Sequence, residues 1–266
     1  MPCRFASSGT VATSRSASRA ILALNAASNF LRDLVISVLH RLRQSRTLHT
    51  LTFGPISGVH FKEHLLKELE ERIDRVAREV VEDFYDVVQE PAFTSHLAQA
   101  IRSEVQNHPI NASGLKIEVT AADMHDRAST MEKDTGADLY VSVVRRDRPV
   151  PVSKGMLVQA KWEHTLRDPK LPGQIEQMTD RTDASYVFAY GESGVYCAKA
   201  STIHPGTRTL DMRPIGGLIT DGLRCTAGDP HIGRDLSLSR AQGLRRKMRE
   251  LQVPVGLAAT LTRTRK

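Results

Sequence analysis

The chain has 266 residues, 40% of them hydrophobic and 25% charged, a mixture ordinary for a soluble globular protein and long enough to bury a full core. Its three cysteines, Cys3, Cys197 and Cys225, are too few and too widely spaced for a disulfide framework, and no apolar run reaches the about 18–20 residues of a membrane span. The formal charge of +7 resides in the ends: residues 1–60 carry a net +6, residues 61–232 a net −6 and residues 233–266 a net +7. A partner rich in phosphate would therefore be met by local patches or by the tails rather than by the body of the chain.

Residues 1–20 are rich in Ser, Ala and Arg and contain no acid, and residues 21–43 have apolar positions at helical spacing. Composition of this kind fits a mitochondrial transit peptide, and equally a disordered basic arm or a start placed too early in a bacterial gene. Residues 1–60 are set apart as this arm, and the location expected is cytoplasmic in a bacterium, or mitochondrial if residues 1–43 are a transit peptide.

Residues 61–90 carry the clearest helical pattern. Leu65, Leu69, Ile73, Val76, Val80, Phe84 and Val88 recur every three or four positions, and Glu68–Arg72 and Glu71–Arg75 pair charges four apart. Pro91 is expected to end this helix, so residues 61–93 are read as one long amphipathic element. Ser95 offers an N-cap for a second helix to about residue 107, with Leu97, Ile101 and Val105 inward. Leu115, Ile117, Val119 and Ala121 alternate as a strand after Gly114, and residues 123–135 read as a polar loop.

The chemistry gathers in GADLYVSVVRRDRPVPVSKGMLVQAKWE, residues 136–163. Leu139, Val141 and Val143 alternate with Asp138, Tyr140 and Ser142; after a basic, proline-containing loop, Met156, Val158, Ala160 and Trp162 alternate with Leu157, Gln159 and Lys161. Side chains two apart on a strand share a face. Gln159 and Lys161 therefore project together, and pairing of the two strands in a suitable register adds Asp138. From spacing alone a second account also fits: Asp138 beside a turn, with Gln159 and Lys161 on the wet face of an amphipathic strand.

Beyond this pair, Pro172 opens a helix whose apolar side includes Ile175 and Met178. Residues 185–191 and 194–200 form a hairpin around Glu192-Ser193. The signal then weakens: residues 216–226 suit a short helix, and residues 237–251 a basic helix with Leu238, Ala241, Leu244, Met248 and Leu251 on one side. On that helix Arg245, Arg246, Lys247 and Arg249 are candidates for phosphate contact, or a solvated face. Cys197, His204, Cys225 and His231 lack the paired spacing of a zinc site. No phosphate-binding glycine loop and no nucleophile elbow is present.

An acidic residue on one strand followed by a Gln-x-Lys on the next resembles the PD-(D/E)xK nuclease superfamily, in its Mrr-type restriction-endonuclease variant. The resemblance rests on Asp138, Gln159 and Lys161 and covers residues 95–200. It implies a restriction-endonuclease-like α/β fold, a mixed sheet core flanked by helices over residues 94–200. The long N-terminal helix precedes that core, and residues 201–266 follow as a C-terminal extension. It implies a metal-dependent DNA endonuclease, a phosphodiester hydrolase acting on DNA with Mg²⁺ or Mn²⁺. Asp138, the backbone carbonyl of Ala160 and Gln159 would be the metal ligands, and Lys161 the charge that orients water or stabilises the transition state. Gln159 stands where an acid is commoner, so a further carboxylate is expected, from Glu104 on the preceding helix or from Glu132 before the strand. A homodimer is compatible with these features, and no membrane is expected as partner. The alternative is a non-catalytic DNA-binding or assembly subunit that keeps the fold.

Overall fold

The computed structural model describes residues 57–84, 89–124, 135–203 and 211–264. The readings of residues 1–43 as a targeting or disordered arm, of Val88, of Glu132 and of His204 lie outside these residues. In chain order the elements are α1 (Ser57–Phe84), α2 (Glu90–Asn107), β1 (Ile110–Ala112), β2 (Leu115–Asp123), β3 (Leu139–Arg146), β4 (Val152–Trp162), α3 (Leu171–Thr179), β5 (Ser185–Gly191), β6 (Gly194–Lys199), β7 (Arg213–Pro214), α4 (Ile215–Arg224), α5 (Arg240–Leu251) and β8 (Val255–Arg263). No described helix is long and apolar enough to cross a membrane.

The strands form one mixed eight-stranded sheet in the order β1-β2-β8-β3-β4-β5-β6-β7. β3 and β4 pair antiparallel as the expected hairpin, with Leu139 opposite Val158. β4 and β5 run parallel through the α3 crossover, with Lys161 opposite Ala189, as parallel neighbours require a connection long enough to return the chain.

Alternation along the central strands divides the core into two layers. Leu139, Val141, Val158, Ala160 and Leu257 pack on one face beneath α1, α2 and α4. Tyr140, Leu157, Val187 and Ala258 pack on the other, beneath α3 and α5 through Leu171, Met178, Leu244 and Met248. Each fully buried Leu, Ile, Phe or Met side chain contributes about 1.5–3 kcal/mol, and α1 alone buries Leu65, Leu66, Leu69, Ile73, Val76, Val80 and Val81. On its outer side Arg72 pairs with Glu68 at 2.5 Å, as the spacing predicts, whereas Arg75 turns to Glu79 at 3.0 Å and to Glu104 at 2.6 Å instead of Glu71.

Two expectations change. Pro91 opens a helix rather than closing one: α2 begins at Glu90 with the proline in its first turn, where the missing N–H costs nothing and the fixed φ is helical. Ser95 is accordingly inside α2, donating its hydroxyl hydrogen bond to Asp123. The second change concerns residues 201–266, which are no appendage. They supply α4, α5 and β8, and β8 enters the middle of the sheet, parallel to β3 and antiparallel to β2. The described core thus runs from α1 to β8 instead of ending near residue 200.

Candidate active site

β3 and β4 bring Asp138 and Gln159 side by side. Asp138 stands one residue before the registered pair Leu139–Val158, and its backbone is pinned on both sides. Its N–H donates to the Val158 carbonyl at 2.9 Å, and its carbonyl accepts from Val255 N–H of β8 at 3.3 Å. The carboxylate then folds toward β4: Asp138 Oδ2 accepts from the Ala160 amide at 2.8 Å and from Gln159 Nε2. Gln159 Nε2 also donates to the Ala160 carbonyl at 3.2 Å. Gln159 Oε1, in contrast, is buried without a hydrogen-bond partner, which costs about 1–3 kcal/mol unless something occupies the space beside it.

Asp138, Gln159 and Lys161 are 6%, 2% and 8% exposed. That is incompatible with the wet face of an amphipathic strand, because a buried ammonium and carboxylate persist only when paired or hydrogen-bonded. The pairing for Lys161 comes from a residue the sequence reading did not single out. Lys161 Nζ lies 3.2 Å from Glu90 Oε2 and 3.7 Å from Asp168 Oδ2. Glu90 Oε1 accepts from the Trp162 amide at 3.1 Å and from the Thr165 hydroxyl at 2.9 Å. Asp168 is itself held below the usual carboxylate range, first by the Lys170 amide at 2.9 Å and then by the charges of Lys161 and Lys170.

Glu90 is the first residue of α2, where the positive end of the helix dipole favours a carboxylate. An aromatic cluster fixes that end of the helix against the strands: Phe93 lies 5.0 Å from Trp162 and 4.4 Å from Tyr190, centroid to centroid. Thr94 closes the cluster with a 2.7 Å hydrogen bond to the Tyr190 hydroxyl. Burial raises the Tyr190 phenol far above its ordinary range, and the charges of Asp138 and Glu90 add to the effect. Both carboxylates therefore act on the same buried hydroxyl.

Of the two expected carboxylates, Glu104 does not join this cluster. Glu104 sits 14 residues beyond Glu90 on α2, about 21 Å along the axis, and is taken up by Arg75 at 2.6 Å and Arg72 at 3.7 Å. Glu132 falls outside the described residues. The signal that points to Glu90 is Glu90-Pro91 itself, an acid and a proline in a first helical turn, once it is read as a helix start.

The approach to Asp138 is shaped by α3. Gly136 has φ +66°, and a side chain there would collide with the Gln174 carbonyl of α3, so glycine is required for both conformation and proximity. Gln174 Oε1 is a second buried amide oxygen without a partner. On the opposite flank, Thr135 Oγ1 donates to the carbonyl of Gln252 at the C-cap of α5, 3.1 Å away. The cluster lies between α3, which packs on β4 and β5, and α5, which packs on β2 and β8.

The oxygens here are the Asp138 carboxylate and the Ala160 carbonyl, both contacted by Gln159 Nε2, and the unpartnered oxygen of the same Gln159 amide. Such a set suits a hard divalent cation rather than zinc. Among the described residues no group of three His, Cys, Asp or Glu side chains is placed to hold a metal, so any ion would depend on the amide and the carbonyl beside Asp138. Burial raises the pKa of the Cys197 thiol to about 11. Compared with known proteins, the chain matches no family model, no curated sequence and no solved structure.

Proposed function

We propose that this protein is a metal-dependent DNA endonuclease of the restriction-endonuclease-like type, hydrolysing phosphodiester bonds by attack of an activated water. The observation that carries the reading is Asp138 bonded to Gln159 and to the Ala160 amide at one end of the β3–β4 hairpin, with Lys161 two residues further along β4 and bonded to Glu90. Mg²⁺ or Mn²⁺ would need the Gln159 amide, whose Nε2 now faces Asp138 and the Ala160 carbonyl, to turn its buried Oε1 toward them. The residues that would hold the ion are Asp138, Gln159 and Ala160 through its carbonyl. Such an ion supplies charge to polarise a phosphoryl oxygen and acidity to a coordinated water.

The chain's own groups have distinct tasks. Asp138 is oriented by the Ala160 amide, so its carboxylate does not need to reorganise when ligands arrive. Lys161 brings a positive charge to where negative charge develops on the phosphoryl oxygens, and in a largely buried setting that charge is worth more than in water. Glu90 and Asp168 hold the ammonium in place. Glu90, bonded also to the Trp162 amide and Thr165, is the positioning carboxylate that the sequence sought in Glu104.

The decisive experiment is nicking of supercoiled plasmid with Mg²⁺, Mn²⁺ or EDTA, using wild type, Asp138→Ala and Lys161→Ala. Metal-dependent nicking lost in both variants supports the assignment. Nicking that survives in both refutes it. A second reading, a DNA-binding or assembly subunit that keeps the fold, is favoured by one feature: Lys161 is already neutralised by two carboxylates. Retained DNA binding without cutting on any DNA form selects that reading.

A further inference from the structure

The basic helix α5 has most of its charge spoken for. Arg240 pairs with Glu118. Arg246 bonds Glu250 at 3.1 Å and faces Asp235 at 3.5 Å, and Lys247 lies 2.7 Å from Glu250. Arg245 and Arg249 are different. Both are exposed and neither has a carboxylate partner among the described residues. One turn apart on the helix, their stems are about 6 Å from each other. With Gln242 and Met124 they line an open groove of about 510 Å³.

The position of this pair ties it to the candidate site. α5 ends at the Gln252 carbonyl that Thr135 grips, three residues beyond Arg249. Thr135 is three residues before Asp138, at most about 11 Å of extended chain. On the opposite flank, between β4 and α3, Arg167 and Lys170 are likewise exposed, and neither side chain has a carboxylate within ion-pair distance. Unpaired cations therefore stand on both sides of the Asp138–Gln159–Lys161 cluster. Arg167 and Lys170 stand out against the net acidic segment from residue 61 to 232, whereas Arg245 and Arg249 belong to the net basic segment from residue 233 to 266.

We infer that Arg245 and Arg249, with Arg167 and Lys170 across the site, contact the phosphate backbone of a DNA duplex and hold it across the end of the β3–β4 hairpin. This rests on the nuclease reading for its purpose but not for its test. Charge complementarity favours this occupant: a duplex offers one negative charge per about 1.7 Å of axis, matching cations spread along two flanks. A single strand is disfavoured because its binding surfaces need exposed aromatic platforms. Among the described residues the large exposed hydrophobics are Phe61 and Val150, and Val150 sits at the far end of the β3–β4 hairpin.

The test is fluorescence anisotropy of a labelled 30-base-pair duplex with the full chain in EDTA, so that binding is read without cutting. Arg245→Ala/Arg249→Ala and Arg167→Ala/Lys170→Ala are compared with wild type. The control Arg148→Ala/Lys199→Ala removes the same charge from exposed positions away from the site. Loss of two phosphate contacts should weaken binding roughly 30-fold at about 0.15 M salt and lower the slope of log K against log salt by about 2. The control should leave both unchanged, and thermal melts should agree across all four proteins.

Equal affinity and slope in the flanking and control variants overturns the inference. So does tighter binding of a labelled polyglutamate chain than of the duplex through the same arginines, since that selects an acidic protein. Metal-dependent cutting with an unaltered salt slope leaves the nuclease standing and removes this surface. A reduced slope without cutting in wild type does the reverse.

Discussion

The two ends of the β3–β4 hairpin both bury charge, and they treat it in opposite ways. At the turn end, Arg145 is 3% exposed and donates from Nε and Nη2 to the two oxygens of Asp147, each at 2.5 Å, and from Nη1 to the Leu223 carbonyl at 2.8 Å. Burial pushes the Asp147 carboxyl up, but the hydrogen bonds and charge of Arg145 outweigh it and hold the carboxyl below its ordinary range. The guanidinium of that pair has a partner for Nε, Nη1 and Nη2. At the other end, Asp138 and Lys161 are also buried and bonded, yet Gln159 Oε1 is left without a partner in their midst. A fold that satisfies a buried ion pair at one end of a hairpin has the means to do so at the other.

Substitutions at the two ends should separate in kind as well as size. Asp138→Ala should reduce metal-dependent nicking per folded molecule by about 10³-fold or more, roughly 4 kcal/mol of barrier, and should cost about 1–3 kcal/mol of stability through the Ala160 amide it leaves unpaired. A large fall in midpoint with unchanged nicking per folded molecule would assign Asp138 to the fold instead. Asp147→Asn, at the closed end, should cost about 3 kcal/mol in urea unfolding because it strands a buried guanidinium, with nicking per folded molecule unchanged.

The acid dependence has a definite sign. The folded-state pKa of Asp147 is depressed below its ordinary 3.8. Its contribution is therefore fully present above about pH 4 and is lost as pH falls through the lower folded value. The stability gap between wild type and Asp147→Asn should narrow below that point; a gap that widens in acid would contradict the pairing.

Lys161→Met should lower nicking by about 10²-fold, and duplex affinity in EDTA should be nearly constant if the ammonium acts on the transition state rather than on binding. The smallest effect sharpens the contrast most. Gln159→Met loses a hydrogen bond to Asp138 worth about 1.5–3 kcal/mol and relieves an orphan worth about 1–3, so stability should move by less than about 1 kcal/mol while nicking falls. A loss of several kcal/mol by denaturant titration would show that Gln159 is a structural bond whose partner lies outside these residues.

Much of this architecture was legible. The three- and four-residue recurrence of α1, the alternation of β2, β3 and β4, the β5–β6 hairpin and the basic helix α5 each follow from side-chain spacing, and Gln159 and Lys161 were placed on one face by that spacing alone. The misreadings have physical causes. Pro91 is compatible with either end of a helix, and the choice depends on Phe93 packing against Trp162 and Tyr190. Glu104 was sought as the assisting carboxylate because it lies at the edge of an inward face, but that face turns toward α1, where Arg72 and Arg75 claim it.

The sequence by itself determined the local elements and the phase of each strand, because a 2.0 or 3.6 residue period is set by backbone geometry within a few residues. It also determined that Asp138, Gln159 and Lys161 can share a face. Tertiary structure alone decided that β8 enters between β2 and β3, and that Glu90, 71 residues before Lys161, completes its surroundings. It decided, too, that Arg245 and Arg249 have no carboxylate partner among the described residues while Arg240, Arg246 and Lys247 on α5 are paired. These outcomes depend on contacts between segments far apart in the chain, such as Thr135 with Gln252 at a separation of 117 residues. No local pattern encodes a partner that only folding brings near.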